Sequence, residues 1–219
     1  SDGYFEMGSV GAVSVSASNP NIVYVGMGEY APRGVMTSYG DGVFKSTDAG
    51  KTWKKMGLEK TQHISRIIIH PTNPDIVYVA AQGALFEGNA ERGIYKSTDG
   101  GKTWKNTLFV NNLTGASELS MDANYPEIMY AAMWEHQRMP NMVVSGGPGS
   151  GLYKSTDAGE TWQKIHKGLP EEKGKMAIAV SPSNSEKVYA LIESDSNADK
   201  GGLFVSNDAG ESWSMVSGD

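Results

Sequence analysis

Ser46-Thr47-Asp48-Ala49-Gly50-Lys51-Thr52-Trp53 is the stretch from which the rest of the chain can be laid out, because the pattern returns three times. It comes back as Ser97-Thr98-Asp99-Gly100-Gly101-Lys102-Thr103-Trp104, as Ser155-Thr156-Asp157-Ala158-Gly159-Glu160-Thr161-Trp162, and in a worn form as Ser206-Asn207-Asp208-Ala209-Gly210-Glu211-Ser212-Trp213. The tryptophans Trp53, Trp104, Trp162 and Trp213 are 51, 58 and 51 residues apart. A period of this size marks stacked supersecondary units. Within each box a short acidic side chain accepts hydrogen bonds from nearby backbone N–H groups and closes a turn. A glycine two residues on takes the positive φ that the turn needs. Thr-Trp then re-enters a strand. Four equivalent aspartates, one per unit, suit a repeated structural turn, so Asp48, Asp99, Asp157 and Asp208 are read as structural and not as metal ligands or nucleophiles.

Each unit repeats one grammar. A run of small and β-branched residues (Val10–Val15, Ile64–Ile69, Ala116–Met121, Met176–Val180) leads through a polar turn, such as Asn19-Pro20-Asn21, into a second apolar run. These second runs are Ile22–Val25, Ile76–Val79, Ile128–Ala131 and Val188–Leu191. A variable loop follows, then Gly-Val-Phe-Lys or a relative of it beginning at Gly42, Gly93, Gly151 and Gly202, and then the box and a short last strand. Four short strands in about 50 residues make a propeller blade. The expectation is an all-β protein, a β-propeller of four-stranded antiparallel blades. Residues 1–219 form one segment with blades at about 9–58, 63–110, 115–168 and 174–217. Tyr4–Gly8 resembles Trp53–Gly57 and reads as the outer strand of a preceding blade, so the segment is expected to belong to a larger ring.

Composition bounds the chemistry. With 19 basic against 25 acidic residues and no basic run, the chain offers no footprint for nucleic acid or an anionic membrane. No apolar run approaches the length of a membrane span. The absence of cysteine excludes disulfides and thiolate chemistry. No His/Asp spacing suggests a metal site, and no cofactor is expected. Gly146–Gly151 lacks the lysine and following helix of a phosphate loop.

The boxes, together with Asn73-Pro74-Asp75-Ile76-Val77-Tyr78-Val79 and Gly151-Leu152-Tyr153-Lys154-Ser155-Thr156-Asp157, resemble the Asp-box (bacterial neuraminidase, BNR) repeat over nearly the whole chain. The likeness extends to large exported bacterial proteins with sortilin-type or glycosidase-like propellers of the sialidase and xyloglucanase superfamily. That resemblance implies an extracellular or periplasmic setting, with any signal upstream of Ser1, and a glycan or protein ligand. The Phe/Tyr-Arg-Ile-Pro motif of sialidases is absent, and no pair of xyloglucanase-type catalytic aspartates can be assigned.

Candidate site residues gather in the loops expected on the face opposite the boxes, where long irregular segments on a rigid scaffold tend to bind. All four arginines map there: Arg33, Arg92 and Arg138 in loops of successive blades, and Arg66 beginning an inner strand. They either share an anion or carboxylate site or pair locally with Glu29, Glu91 or Glu135. Tyr39 and Trp134 are candidates to stack on a sugar ring. Glu29, Glu118 and Glu135 are the candidate acids, since a glycosidase needs two carboxylates roughly 5–9.5 Å apart. His63 and His136 are placed on this face and His70 on the other. The leading expectation is a non-catalytic binding or scaffold module, completed by further blades or another chain. The alternatives are a glycoside hydrolase with part of its site outside this chain, and a purely architectural arc.

Overall fold

A computed structural model of the chain describes residues 3–30, 37–194 and 200–217. Among these residues there is no α-helix, only strands and one short 3-10 turn at Glu59–Thr61. The first sheet is β1 (Val10–Val15), β2 (Val23–Met27), β3 (Val43–Ser46) and β4 (Lys54–Lys55), hydrogen-bonded in that order. The second is β5 (Ile64–Ile69), β6 (Val77–Ala81), β7 (Gly93–Ser97) and β8 (Lys105–Leu108). The third holds β9 (Thr114–Met121), β10 (Met129–Met139), β11 (Met142–Ser145), β12 (Gly151–Ser155) and β13 (Gln163–Ile165). The fourth is β14 (Met176–Ser181), β15 (Asn184–Ile192), β16 (Gly202–Ser206) and β17 (Ser214–Ser217). All neighbours are antiparallel, as in propeller blades.

Two segments differ from the sequence reading. The third sheet has a fifth strand: the stretch from Trp134 to Met142, expected as an irregular loop, continues β10 and turns back into β11 with Met139 opposite Met142. Pro140-Asn141 makes the turn of this hairpin. Tyr4–Gly8, expected as an outer strand, forms no strand, having no partner strand beside it. Instead Phe5 packs on Phe44 and Trp53, with ring centroids 5.1 and 5.4 Å away.

The core lies between blades. Tyr24 and Val43 join Ile67, Val77 and Val79 in one cluster. Tyr78, Ile94 and Leu108 join Leu119, Met129 and Met133 in the next, and Tyr130 and Leu152 join Ile178, Val188, Phe204 and Trp213 in the last. Alternate residues of each strand thus face the preceding and the following blade, which explains why middle strands such as Val77–Ala81 are buried throughout.

The boxes are hydrogen-bonded turns built around serine as much as aspartate. Ser46 Oγ accepts from Gly50 N (2.8 Å) and donates to Asp48 Oδ1 (2.7 Å). Asp48 in turn accepts from Thr52 N (2.9 Å) and Thr52 Oγ1 (2.6 Å). The same bonds recur around Asp99, Asp157 and Asp208. Ala49, Ala158 and Ala209, directly after each aspartate, adopt a left-handed φ of 60°, 57° and 54°.

These bonds favour the ionised carboxylate. The Thr52 hydroxyl and amide hold Asp48 down at about 2, the Thr161 hydroxyl does the same for Asp157, and the Ser206 and Ser212 hydroxyls for Asp208. A carboxyl depressed on folding contributes stability above its unfolded value, about 3.9, and loses it as pH falls toward its folded value. The melting temperature, followed by tryptophan fluorescence, is therefore expected to lose the boxes' contribution between about pH 4 and about pH 2. A loss of that contribution centred near pH 6 would contradict this account of the boxes.

Candidate functional site

On the side away from the boxes, one residue or more from every blade converges at the mouth of the blade array. Tyr30, following β2, reaches across to β9, where its hydroxyl donates to Ser117 O (2.5 Å). Ser117 Oγ donates to Met176 O at the start of β14 (2.8 Å), tying the third blade to the fourth. Arg66 on β5 clamps Glu118 on β9 with two bonds, Nε to Oε1 at 2.5 Å and Nη2 to Oε2 at 2.9 Å. The Lys175 ammonium stands 4.5 Å from the Tyr30 ring centroid and 5.3 Å from that of Trp134. Cation–π attraction of this kind strengthens as the cation loses water. Burial lowers the Lys175 pKa, opposed by the negative charge of Glu193 and Glu118.

The β10–β11 hairpin builds the adjoining wall. Trp134 Nε1 donates to Ser145 Oγ (3.1 Å), and Ser145 Oγ donates to Glu193 Oε2 (2.8 Å). The same carboxylate oxygen accepts from Lys175 N (2.9 Å). His136 stacks on Trp134 with centroids 4.0 Å apart, and burial pushes its pKa down to about 4, so it is neutral at pH 7. Trp134, His136, Arg138, Val143, Ser145, Lys175 and Glu193 line an open depression of about 370 Å³. Its floor is aromatic and its rim carries two cations, a carboxylate and a hydroxyl. That combination suits a ligand with an apolar face and hydroxyl or acidic edges.

The residues singled out in the sequence fall into different surroundings. Arg33 lies outside the described residues. Arg66 is committed to Glu118. Arg92 is 1% exposed, and its guanidinium donates to four main-chain carbonyls, those of Gln82 (3.0 Å), Leu113 (3.2 Å), Glu87 (2.8 Å) and Ala84. A ligand cannot reach it, so a site shared by Arg66, Arg92 and Arg138 does not exist. Nor does Arg92 pair with Glu91: carbonyls replace the expected carboxylate. Arg138 does line the depression.

Trp134 is only 4% exposed and works as floor, while Tyr39 is 50% exposed and stands edge-on to His63 at 6.4 Å. His63 is buried; its Nδ1 meets Glu29 O at 2.9 Å, and burial lowers its pKa. The Glu29 carboxylate accepts from Ser38 N (3.4 Å). Glu135 pins the glycine-rich segment by accepting from Gly149 N (2.8 Å). Glu118 is held by Arg66.

Sequence reasoning passed over Tyr30, Ser145, Lys175 and Glu193. Lys175 stands at the head of an inner strand, close to where Arg66 stands in the second blade. A search for cations at that position, not for arginines alone, finds it.

Comparison with known proteins agrees with this architecture. The family model "Sortilin, neurotensin receptor 3" matches residues 41–146, and the BNR/Asp-box repeat model matches residues 153–164. A xyloglucanase of Paenibacillus sp is 23% identical over 95% of this chain and 21% of its own length. A xyloglucanase of Acetivibrio thermocellus is 27% identical over 71% of this chain and 20% of its own length. Among solved structures, an ancestral GH74 enzyme superposes with a TM-score of 0.70 at 19% identity, covering 96% of this chain and 24% of that one. The GH74 xyloglucanase of Xanthomonas campestris gives 0.65 at 17% identity, covering 94% of this chain and 30% of that one. The structural likenesses show the fold. The chain spans about a fifth of the length of the curated relatives it matches. The chain thus carries a BNR/Asp-box repeat at residues 153–164 and has the β-propeller fold.

Proposed function

We propose that this Asp-box propeller segment binds a carbohydrate chain at the mouth opposite its boxes, and that the described residues form a binding surface and not a complete catalytic pair. The observation that carries the reading is the Lys175 ammonium held between Tyr30 and Trp134 beside Glu193, with Arg138 on the same rim. Sugars present hydroxyl edges to such donors and acceptors and a C–H face to the neighbouring aromatic and apolar surface. The relatives named above are xyloglucanases by name, so a xyloglucan-type β-glucan is the first ligand to try. Such a ligand also implies work outside the cytoplasm, in an extracellular or periplasmic setting.

The carboxylates at the mouth argue against catalysis by this segment alone. A glycosidase acid must hold a proton at working pH, and its partner must stand across the bond. Both oxygens of Glu118 are taken up by Arg66, and Glu193 Oε2 accepts from Ser145 Oγ and Lys175 N, so both carboxylates are engaged in holding the mouth together. Glycoside hydrolysis with acids supplied from beyond this segment is the second reading, favoured by the short share of each relative that the chain covers.

Calorimetric titration with xyloglucan oligosaccharides tests the proposal. Saturable binding is expected, weakened by about tenfold in Lys175→Ala, the worth of one lost charged contact. The melting temperature of that variant should stay within a degree or two of the parent. Absence of binding, or binding indifferent to Lys175, would overturn the assignment.

A further inference from the structure

The depression at the mouth is built on one face of the β10–β11 hairpin. Alternate residues of a strand share a face, so Trp134, His136 and Arg138 stand in a row along β10. On β11, Val143 lies opposite Arg138 and Ser145 opposite His136. The row is about 13 Å long at roughly 3.3 Å per residue. It has a cation at each end: Lys175 stands 5.3 Å from the Trp134 ring centroid, and Arg138 sits beside the hairpin turn. Burial lowers the pKa of His136 between them, and the charges of Arg138, Arg92 and Lys175 lower it further, so both end cations act on the middle of the row.

The side chains of this face are not used up by the fold. Arg66 holds Glu118 and Arg92 holds main-chain carbonyls, whereas among the described residues nothing pairs with the Arg138 guanidinium. The Arg138 main chain is nevertheless fixed, its N donating to Leu85 O (2.8 Å). The nearby acids are already engaged: Glu193 Oε2 accepts from Ser145 Oγ and Lys175 N, and Glu118 is held by Arg66. Two cations against one carboxylate leave the depression positive, in a chain whose net charge is -6. His136 is 3% exposed, and neither ring nitrogen makes a well-formed hydrogen bond, although the main chain of Val144 lies near. Buried polar groups are nearly always bonded, so a ring that lines an open depression is set to bond what fills it.

We infer that the depression reads an acidic sugar chain, a β-linked uronate polymer whose carboxylates meet Arg138 at one end of the row and Lys175 at the other, while a ring hydroxyl bonds His136. The inference rests on the carbohydrate reading above and narrows its ligand. A planar guanidinium takes a carboxylate through two parallel hydrogen bonds, and an ammonium acts beside it as a point charge. A neutral glucan with the same backbone keeps the contacts of its C–H face and hydroxyls but leaves both cations without a partner. The acidic chain is therefore the tighter ligand of the two.

Calorimetric titration with a matched pair of ligands tests this: a β-1,4-linked oligoglucuronate, and the neutral oligosaccharide obtained by reducing its carboxyls. The acid is expected to bind about fivefold to tenfold tighter at ~0.1 M salt, with the ratio falling toward one at about 1 M. Arg138→Gln should remove most of this preference, and Arg138→Lys should keep part of it. Lys51→Gln, the same change of charge on the box side, should leave the ratio as it is. Equal affinities for the two ligands would overturn the acidic assignment and leave the carbohydrate reading standing. A preference that ignores Arg138 would overturn it as well. Failure of both ligands to bind would overturn both readings.

Discussion

Arg92→Met is expected to lower the stability of the chain by about 2–4 kcal/mol, although no acidic partner is lost. The guanidinium is buried, and its four carbonyl acceptors come from Gln82, Ala84 and Glu87 of one loop and Leu113 of the next blade. Hydrogen bonds from a charged donor contribute about 1.5–3 kcal/mol each before desolvation, and burying the charge takes back part of that sum. Burial pushes the Arg92 pKa down to about 10, which still leaves a cation at neutral pH. Methionine fills much of the volume but donates nothing, so the carbonyls lose this donor, and of the four only Leu113 O keeps another among the described residues, from His136 N. Urea unfolding reads the effect as a lower midpoint with an unchanged slope. A loss below about 1 kcal/mol would mean that the loop re-forms its bonds without the side chain.

Gly93→Ala should cost a comparable amount, roughly 2–5 kcal/mol, for a different reason. Gly93 opens β7 at φ 102°, a region that L side chains rarely adopt, and a Cβ there would overlap Leu108 O of the adjacent strand. The Leu108 carbonyl has no room to give: it is main chain, and Ile94 pairs with Leu108 in the ladder. Gly42 opens β3 in the same way at φ 104°, against Gly57 O. Gly42→Ala should therefore resemble Gly93→Ala, whereas Gly3→Ala, with nothing within 4 Å, should be neutral. Equal midpoints for all three variants would show that the strand-opening glycines are not required by the backbone.

The blade pattern was legible because its signals are local. A serine, an aspartate and a glycine at fixed spacing close a turn with their own atoms, and alternating apolar runs place strands wherever they recur. The hairpin of β10 and β11 carried a readable mark, Pro140-Asn141 between two methionine-bearing runs, but the search for irregular binding loops passed over it. Arg92 was not readable at all. Its partners are carbonyls, which every residue possesses, so no side chain in the sequence signals the pairing. The Lys175 site was half readable: position at the head of an inner strand is a sequence property, whereas the meeting of Tyr30, Trp134 and Glu193 around it comes from blade packing. Glu118 and Arg66 lie 52 residues apart on neighbouring blades, close to one repeat, and register alone brings them together.

If the mouth binds a carbohydrate chain without cleaving it, binding and cleavage separate in a single incubation. Xyloglucan is mixed with the chain at equimolar concentration, and new reducing ends are counted while the bound fraction is followed in the same sample. The bound fraction is expected to rise to saturation with no reducing ends above the blank. Release of reducing ends that disappears in Glu118→Gln or Glu193→Gln would contradict it, and would place the catalytic acids inside this segment.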